Sequence, residues 1–125
     1  MYTVTKRMEI AGSHSLELDY ESKCQNVHGH NWIITVVVGS SELNKDGMVV
    51  DFSRIKEVVN RLDHRHINDV LDLGVNPTAE IIAKWIHTAL QGVLDKIKDP
   101  MLLWSPRVLE VTVQESEGNT ACYIP

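Results

Sequence analysis

Two histidines flank one glycine at His28-Gly29-His30, with Cys24 shortly ahead of them and His14 further upstream. Residues at i and i+2 of an extended segment point to the same side, and the intervening glycine adds no side chain to the other. The apolar run Trp32-Ile33-Ile34-Thr35-Val36-Val37-Val38 follows at once, so the pair belongs at the leading end of a β-strand. Two neutral imidazoles there, with a third available, make a metal site. Zn²⁺ suits it best among common biological metals, with copper, iron and nickel as chemical rivals. An isolated His-x-His on a strand is more often a half-exposed pair than a ligand pair. Here the chain has 6 histidines, and His14, His28 and His30 fall in one short stretch with Cys24 in the delivering loop.

Three readings of Cys24 stand side by side: a loop cysteine without a role, a fourth metal ligand, or a catalytic base or nucleophile. A closed Cys-His₃ set would be a structural zinc site, yet a domain with sound helices and strands does not need a metal to fold. A three-histidine site with an open position polarises a substrate oxygen instead. A thiol near a cationic metal ionises easily, and the reactive thiol is the preferred reading. Asp63-His64 closes a helix, where a histidine can serve the helix dipole or act as an acid or base poised by a carboxylate. His66 reads as a surface bystander and His87 as a solvated helix residue. Glu115 continues the parity of Leu109, Val111 and Val113 and so ends an apolar stripe. A carboxylate there is costly without hydrogen-bond donors, and the edge of a guanidine-like heterocycle would supply them; the alternative is a strand-end glutamate that escapes to solvent.

The elements that must position these groups follow from periodicity. Tyr2, Val4, Met8 and Ile10 alternate with polar residues, Lys6 being the lapse, and predict a half-buried strand. Gly12 could mark a bulge or bend. Residues 15–27 read as a long loop, residues 28–39 as the second strand, and Asn44-Lys45-Asp46-Gly47 as a turn. Asp51 caps a helix with apolar positions Phe52, Ile55, Val58, Val59 and Leu62. A second helix opens at Asn76-Pro77, with proline in the first turn, and carries the stripe Ile81, Ile82, Trp85, Ile86, Ala89, Val93, Leu94 and Ile97. Two strands, around 109–114 and 120–124, close the chain. The β-β-α-α-β-β order predicts an α+β fold, a four-stranded antiparallel sheet with two helices on one face. Open sheet edges and a second strand apolar on both faces predict self-association.

At 125 residues, 12 basic and 17 acidic side chains and a formal net charge of −5, the chain reads as one domain over residues 1–125. It shows no basic cluster for a nucleic-acid backbone. A phosphate-bearing small substrate remains compatible, needing only a few local cations or a metal. No apolar run is long enough for a bilayer, no signal-peptide core precedes the first strand, and two cysteines form no disulfide framework, so the expectation is a cytoplasmic protein with free thiols.

These residues resemble the 6-pyruvoyltetrahydropterin synthase and 6-carboxytetrahydropterin synthase family over nearly the whole chain. The motifs are His14; Cys24-Gln-Asn-Val-His28-Gly-His30-Asn31-Trp32; Gly47-Met48-Val49-Val50-Asp51-Phe52; Leu62-Asp63-His64-Arg65-His66-Ile67-Asn68; Asn76-Pro77-Thr78-Ala79-Glu80; and Glu115. The resemblance implies the tunnelling (T-fold) architecture, in which trimers join their sheets into a barrel and pair into a homohexamer. It implies His14, His28 and His30 as ligands of one zinc per chain. Cys24 becomes the proton acceptor, Asp63 and His64 its relay across a subunit boundary, and Glu115 the anchor of the pterin edge, with Thr78 counted as a further substrate contact. The implied substrate is 7,8-dihydroneopterin triphosphate, its side-chain hydroxyls on zinc, the adjacent C–H acidified, and triphosphate eliminated. The family's Phe-x-Ala-Ala-His lead is absent from Ile10-Ala11-Gly12-Ser13-His14. The short Cys24–His28 spacing looks like the bacterial 6-carboxy enzymes, implying 6-carboxy-5,6,7,8-tetrahydropterin synthase in queuosine (7-deazaguanine) biosynthesis. The 6-pyruvoyl product is the runner-up. A structural-zinc oligomer and a non-catalytic pterin-binding module are the rivals from other classes.

Overall fold

The first two strands form one long hairpin. In the computed structural model, which describes residues 1–99, 101 and 103–125, β1 (Tyr2–His14) pairs with β2 (His28–Ser40) without interruption from Tyr2 opposite Ser40 to His14 opposite His28. Alternation does the rest: Ile10, Trp32, Ile34, Val36 and Val38 turn to one face and are buried, while Thr5, Arg7 and Glu9 stay exposed on the other. Lys6, the lapse in the apolar pattern, lays its ammonium 5.9 Å from the Phe52 ring centroid, a cation–π contact that lets its stem lie on apolar surface.

The remaining elements are α1 (Phe52–Asn60), β3 (Arg65–His66), α2 (Ile67–Leu71), α3 (Ala79–Ile97), β4 (Arg107–Ser116) and β5 (Asn119–Tyr123), with a short 3₁₀ turn at Lys23–Gln25. The sheet order is β3-β1-β2-β4-β5. The four expected strands are present and antiparallel, and β3 joins them at the β1 edge as a parallel fifth. It is two residues long, too short for any periodicity to announce it, as is the helix turn of α2 beside it. Ile55, Val58 and Val59 of α1 and Ile82, Ala83, Ile86, Leu90 and Leu94 of α3 close over the inner face. Among the described residues no helix covers the opposite face, on which Ile33 and Val37 lie half-buried.

Several local readings change. Asp51 caps α1 as expected, its Oδ1 accepting from Ser53 N–H at 2.8 Å. The cap of α3, however, is Thr78, whose Oγ1 accepts from Ile81 N–H at 3.3 Å. Asn76 and Pro77 precede the helix, because the Asn76 carboxamide is engaged with Glu17. Gly12 marks no bend: a side chain there would approach Ile67 Cδ1 to 3.0 Å and Trp32 Nε1 to 3.4 Å, and the indole donates to Gly12 O at 3.1 Å. Close packing, not turning, is what requires glycine.

In β4 the parity slips. Val37 faces Glu110 but Val38 faces Val108, so Leu109 is an extra residue in a β-bulge and Val108 takes the core position expected of it. Leu109 instead folds over Gly39. His87 is half-buried, its ring centroid 5.1 Å from that of Tyr123, because α3 lies across both β4 and β5 and covers more than its apolar stripe.

Gln91 joins α3 to the start of β4. Its Oε1 accepts from Val108 N–H at 2.9 Å and its Nε2 donates to Pro106 O at 3.3 Å and Asp95 Oδ1 at 3.0 Å. Gln91→Leu would leave a buried amide and carbonyl unpaired. The expected loss is about 2 kcal/mol, read from a lower urea midpoint at unchanged slope.

Candidate metal centre and active site

The end of the β1–β2 hairpin carries the site. His14 and His28 are direct cross-strand partners and His30 lies opposite Gly12, so all three imidazoles stand on the face that holds Trp32. Their ring centroids are 4.5 Å (His14–His28), 4.9 Å (His28–His30) and 5.2 Å (His14–His30) apart. Trp32 forms the floor, edge-on at 4.9 Å from His14 and 5.0 Å from His30.

Hydrogen bonds outside the group decide which nitrogens face inward. His14, fully buried, places Nδ1 2.8 Å from Pro77 O, and His28 places Nδ1 2.7 Å from Asn26 O. A carbonyl only accepts, so each Nδ1 carries the proton and each Nε2 presents a lone pair. His14 Nε2 and His30 Nε2 are buried without a hydrogen-bond partner, a costly state for polar atoms unless something binds them.

Glu115 is the residue the sequence placed only in part. At its position β4 carries an extra residue, since Gln114 faces Thr120 while Ser116 faces Asn119. Alternation from the buried Val111 and Val113 carries its side chain to the inner face, where the carboxylate meets the imidazoles. Its Oε1 lies 3.3 Å from His14 Nε2 and 3.4 Å from His30 Nε2, close enough for electrostatic contact but outside hydrogen-bond geometry. His14, His28, His30 and Glu115 each offer a ligand atom, all within 4.8 Å of one another. The inward lone pairs of His14 and His28, the partnerless Nε2 of His30 and one carboxylate fit a divalent metal of the zinc type. Parity signalled that Glu115 ends the inner apolar stripe; its approach to the imidazoles left no sequence signal.

Cys24 is not in that group. It is a half-buried free thiol in the 3₁₀ turn, its N–H donating to Ser22 Oγ at 3.2 Å. Asp63 and His64 lie beyond the end of α1, so the helix-dipole reading of His64 does not apply. His64 adopts φ 56°, the left-handed region that histidine enters at some cost. It is held there by its N–H, which donates to Ala11 O at 2.7 Å. Asp63 Oδ1 accepts from Ala11 N–H at 3.0 Å and lies 3.0 Å from His64 Nδ1. The Ala11 amide, and then the His64 imidazole, hold the Asp63 carboxyl below the usual carboxylate range.

His64 is 82% exposed on its side chain, on the rim of a shallow depression shared with Ser13, Asn31 and His66. His66 is half-buried rather than free on the surface: its Nδ1 is 3.0 Å from Ser13 Oγ, because the register of β3 sets the two side by side. Asn68, Asn76 and Pro77 stand in the motifs, but their contacts with Ser15, Glu17 and His14 carried no signal in a single sequence. Thr78 is spent in part on capping α3.

Residues 3–125 match the family model described as 6-pyruvoyl tetrahydropterin synthase. The chain belongs to that family. It is 29% identical over 130 residues to 6-carboxy-5,6,7,8-tetrahydropterin synthase of Bacillus subtilis, covering 99% of this chain and 86% of that protein. It is 38% identical over 100 residues to the Synechocystis protein of the same name, covering 73% and 76%. A solved Caenorhabditis elegans 6-pyruvoyl tetrahydropterin synthase superposes with a TM-score of 0.74 at 24% identity, covering 99% of this chain and 95% of that one. The T-fold expectation from the sequence therefore holds, with its mixed fifth strand, and the chain is an enzyme of the tetrahydropterin synthase type, a lyase.

Burial, opposed by the Pro77 contact and reinforced by His28, lowers the pKa of His14 below its ordinary 6.5. Burial likewise lowers His30, against the pull of Glu115. In the unfolded chain both would take up protons near the ordinary value, whereas the folded chain resists until lower pH. The metal-free fold therefore keeps this contribution above about pH 6.5 and loses it progressively as pH falls below that. Thermal melts of metal-free protein between about pH 7.5 and 5 should show a declining midpoint, with a shallower decline in His14→Asn.

Proposed function

We propose that the chain, acting as one domain over residues 1–125, is a zinc-dependent 6-carboxy-5,6,7,8-tetrahydropterin synthase. It would convert 7,8-dihydroneopterin triphosphate to 6-carboxytetrahydropterin, acetaldehyde and triphosphate, in the cytoplasm and in the service of queuosine biosynthesis. The observation that carries the reading is the group of three converging imidazoles, buried at His14 and half-buried at His28 and His30, with two orphaned Nε2 atoms, together with relatives named for this activity. Among the described residues no helix is long and apolar enough to cross a membrane.

His14, His28 and His30 would hold the ion. A zinc on three imidazoles, with a position left open, polarises a substrate oxygen and eases loss of a neighbouring proton. Cys24 takes a proton from the substrate side chain. His64, oriented by Asp63, passes protons at Nε2, with the imidazolium stabilised by the carboxylate. Glu115 accepts hydrogen bonds from the amino-pyrimidinone edge, and Thr78, whose oxygen already accepts from Ile81, has its O–H left for the substrate. Separating Cys24 from the donor group favours this division of labour over a closed structural site.

The free edge of β5 and the uncovered sheet face bearing Ile33 and Val37 favour a homo-oligomer, a hexamer in the family's manner. Sedimentation at micromolar concentration should show an assembly; a monodisperse monomer would remove the shared-site model. Mass spectrometry of the product from dihydroneopterin triphosphate separates the 6-carboxy from the 6-pyruvoyl outcome.

Variants assign the roles. Cys24→Ala should keep one zinc per chain and bind pterin yet lose turnover by on the order of a hundredfold, whereas His28→Ala should lose metal and activity together. Glu115→Ala should keep zinc and weaken pterin binding by roughly 1–3 kcal/mol. Loss of zinc in Glu115→Ala would make the carboxylate a ligand, and loss in Cys24→Ala would do the same for the thiol.

A further inference from the structure

Cys24 sits in a loop with no regular element longer than its own 3₁₀ turn, so its position has to come from somewhere else. Two asparagines supply it. Asn68, in α2, accepts from Ser15 N–H on Oδ1 at 3.0 Å and donates from Nδ2 to Ser15 O at 2.9 Å. Asn76 treats Glu17 the same way, at 2.7 Å and 2.8 Å. Between the two clamped residues, Leu16 N–H donates to Cys24 O at 2.8 Å. Among the described residues, these four side-chain bonds are the hydrogen bonds that tie the 15–27 loop to anything beyond the two strands it connects. Ser22 and Gln25 shape the turn only from within, through Cys24 N–H and Leu18 O.

A carboxamide presents an acceptor and donors in one plane, so it can meet the N–H and C=O of one residue as a neighbouring strand would. We propose that Asn68 and Asn76 are positioning residues for Cys24. They fix Ser15–Glu17 as a rail, and Leu16 on that rail fixes the cysteine turn. Asn76 is followed directly by Pro77, whose carbonyl holds His14 Nδ1. One stretch of chain thus references both the thiol and a member of the metal-ligand group to the N-terminus of α3. The inference rests on the reading of Cys24 as the proton acceptor.

The test uses Asn68→Ala, Asn76→Ala and the near-isosteric Asn68→Asp and Asn76→Asp, which keep the acceptor and lose the donor. Zinc content and kcat and KM with dihydroneopterin triphosphate are measured for each. Cys24 is also alkylated with iodoacetamide across pH and followed by peptide mass spectrometry, with the exposed Cys122 as internal reference. The alanine variants should retain zinc and KM while kcat falls about tenfold or more, as a misplaced catalytic group does. The Cys24 alkylation profile should move while that of Cys122 does not, and the aspartate variants should fall between. Folded alanine variants with unchanged kcat, or with lowered melting temperature but an unmoved Cys24 profile, would overturn the proposal. Full activity in Cys24→Ala would instead remove the catalytic reading of the thiol, and the alkylation profiles alone would then decide whether the asparagines hold it.

Discussion

The register of the β1–β2 hairpin is the constraint on which the rest depends. Each strand runs 13 residues, and the ladder ends on the His14–His28 pair. Side chains alternate with a period of two, so a slip of one residue would send the imidazoles to the uncovered face and the core valines with them. The apolar stripe and the metal-ligand group are therefore specified by one register. Burying Trp32, Ile34, Val36 and Val38 beneath α1 and α3 places His28 and His30 on the same inner face without any further instruction.

That coupling explains why so much was legible. Alternation in β1 and β2 gave the face and the end of the hairpin, Asp51 gave the start of α1, and a long apolar stripe gave α3. The histidines inherit their arrangement from the hairpin. What the sequence did not reveal is local and non-periodic. The bulges at Leu109 and Glu115 each insert one residue, and no residue type announces them. β3 and α2 are too short for a pattern, and the cap of α3 moved from Asn76 to Thr78 because Asn76 found a partner far away in sequence. His66 and His87 looked solvated because their covering elements, Ser13 on β1 and Tyr123 on β5, become neighbours only after folding.

The site is built against the grain of the core that carries it. Hydrophobic burial around Trp32 favours neutral imidazoles, which lowers the pKa of His14 and His30 and keeps their inward nitrogens available at neutral pH. The same burial leaves two of those nitrogens without partners in the protein, a cost that a bound cation would offset. Metal affinity and local instability are thus two sides of one arrangement. Pro77 and Asn26 restrict the His14 and His28 rings to one tautomer, so two of the three imidazoles are oriented before any ion binds.

Cys24 is solved differently. Ligands that must sit rigidly are mounted on strands, whereas a group that must meet a substrate has to remain open to it, and a buried strand would not allow that. Its loop is exposed over much of its length and none of its residues is fully buried, so apolar packing alone is a weak means of holding it. Paired backbone bonds from two side chains can do so without covering the thiol. Asparagine suits the task because its carboxamide meets an amide and a carbonyl at once, and its short side chain leaves little freedom to lose. The clamps sit at the beginning of α2 and just ahead of α3, elements anchored in the core by Ile67, Leu71 and Ile82. The loop therefore borrows rigidity from the core through hydrogen bonds, and does so on the side of the molecule where the imidazoles are already fixed.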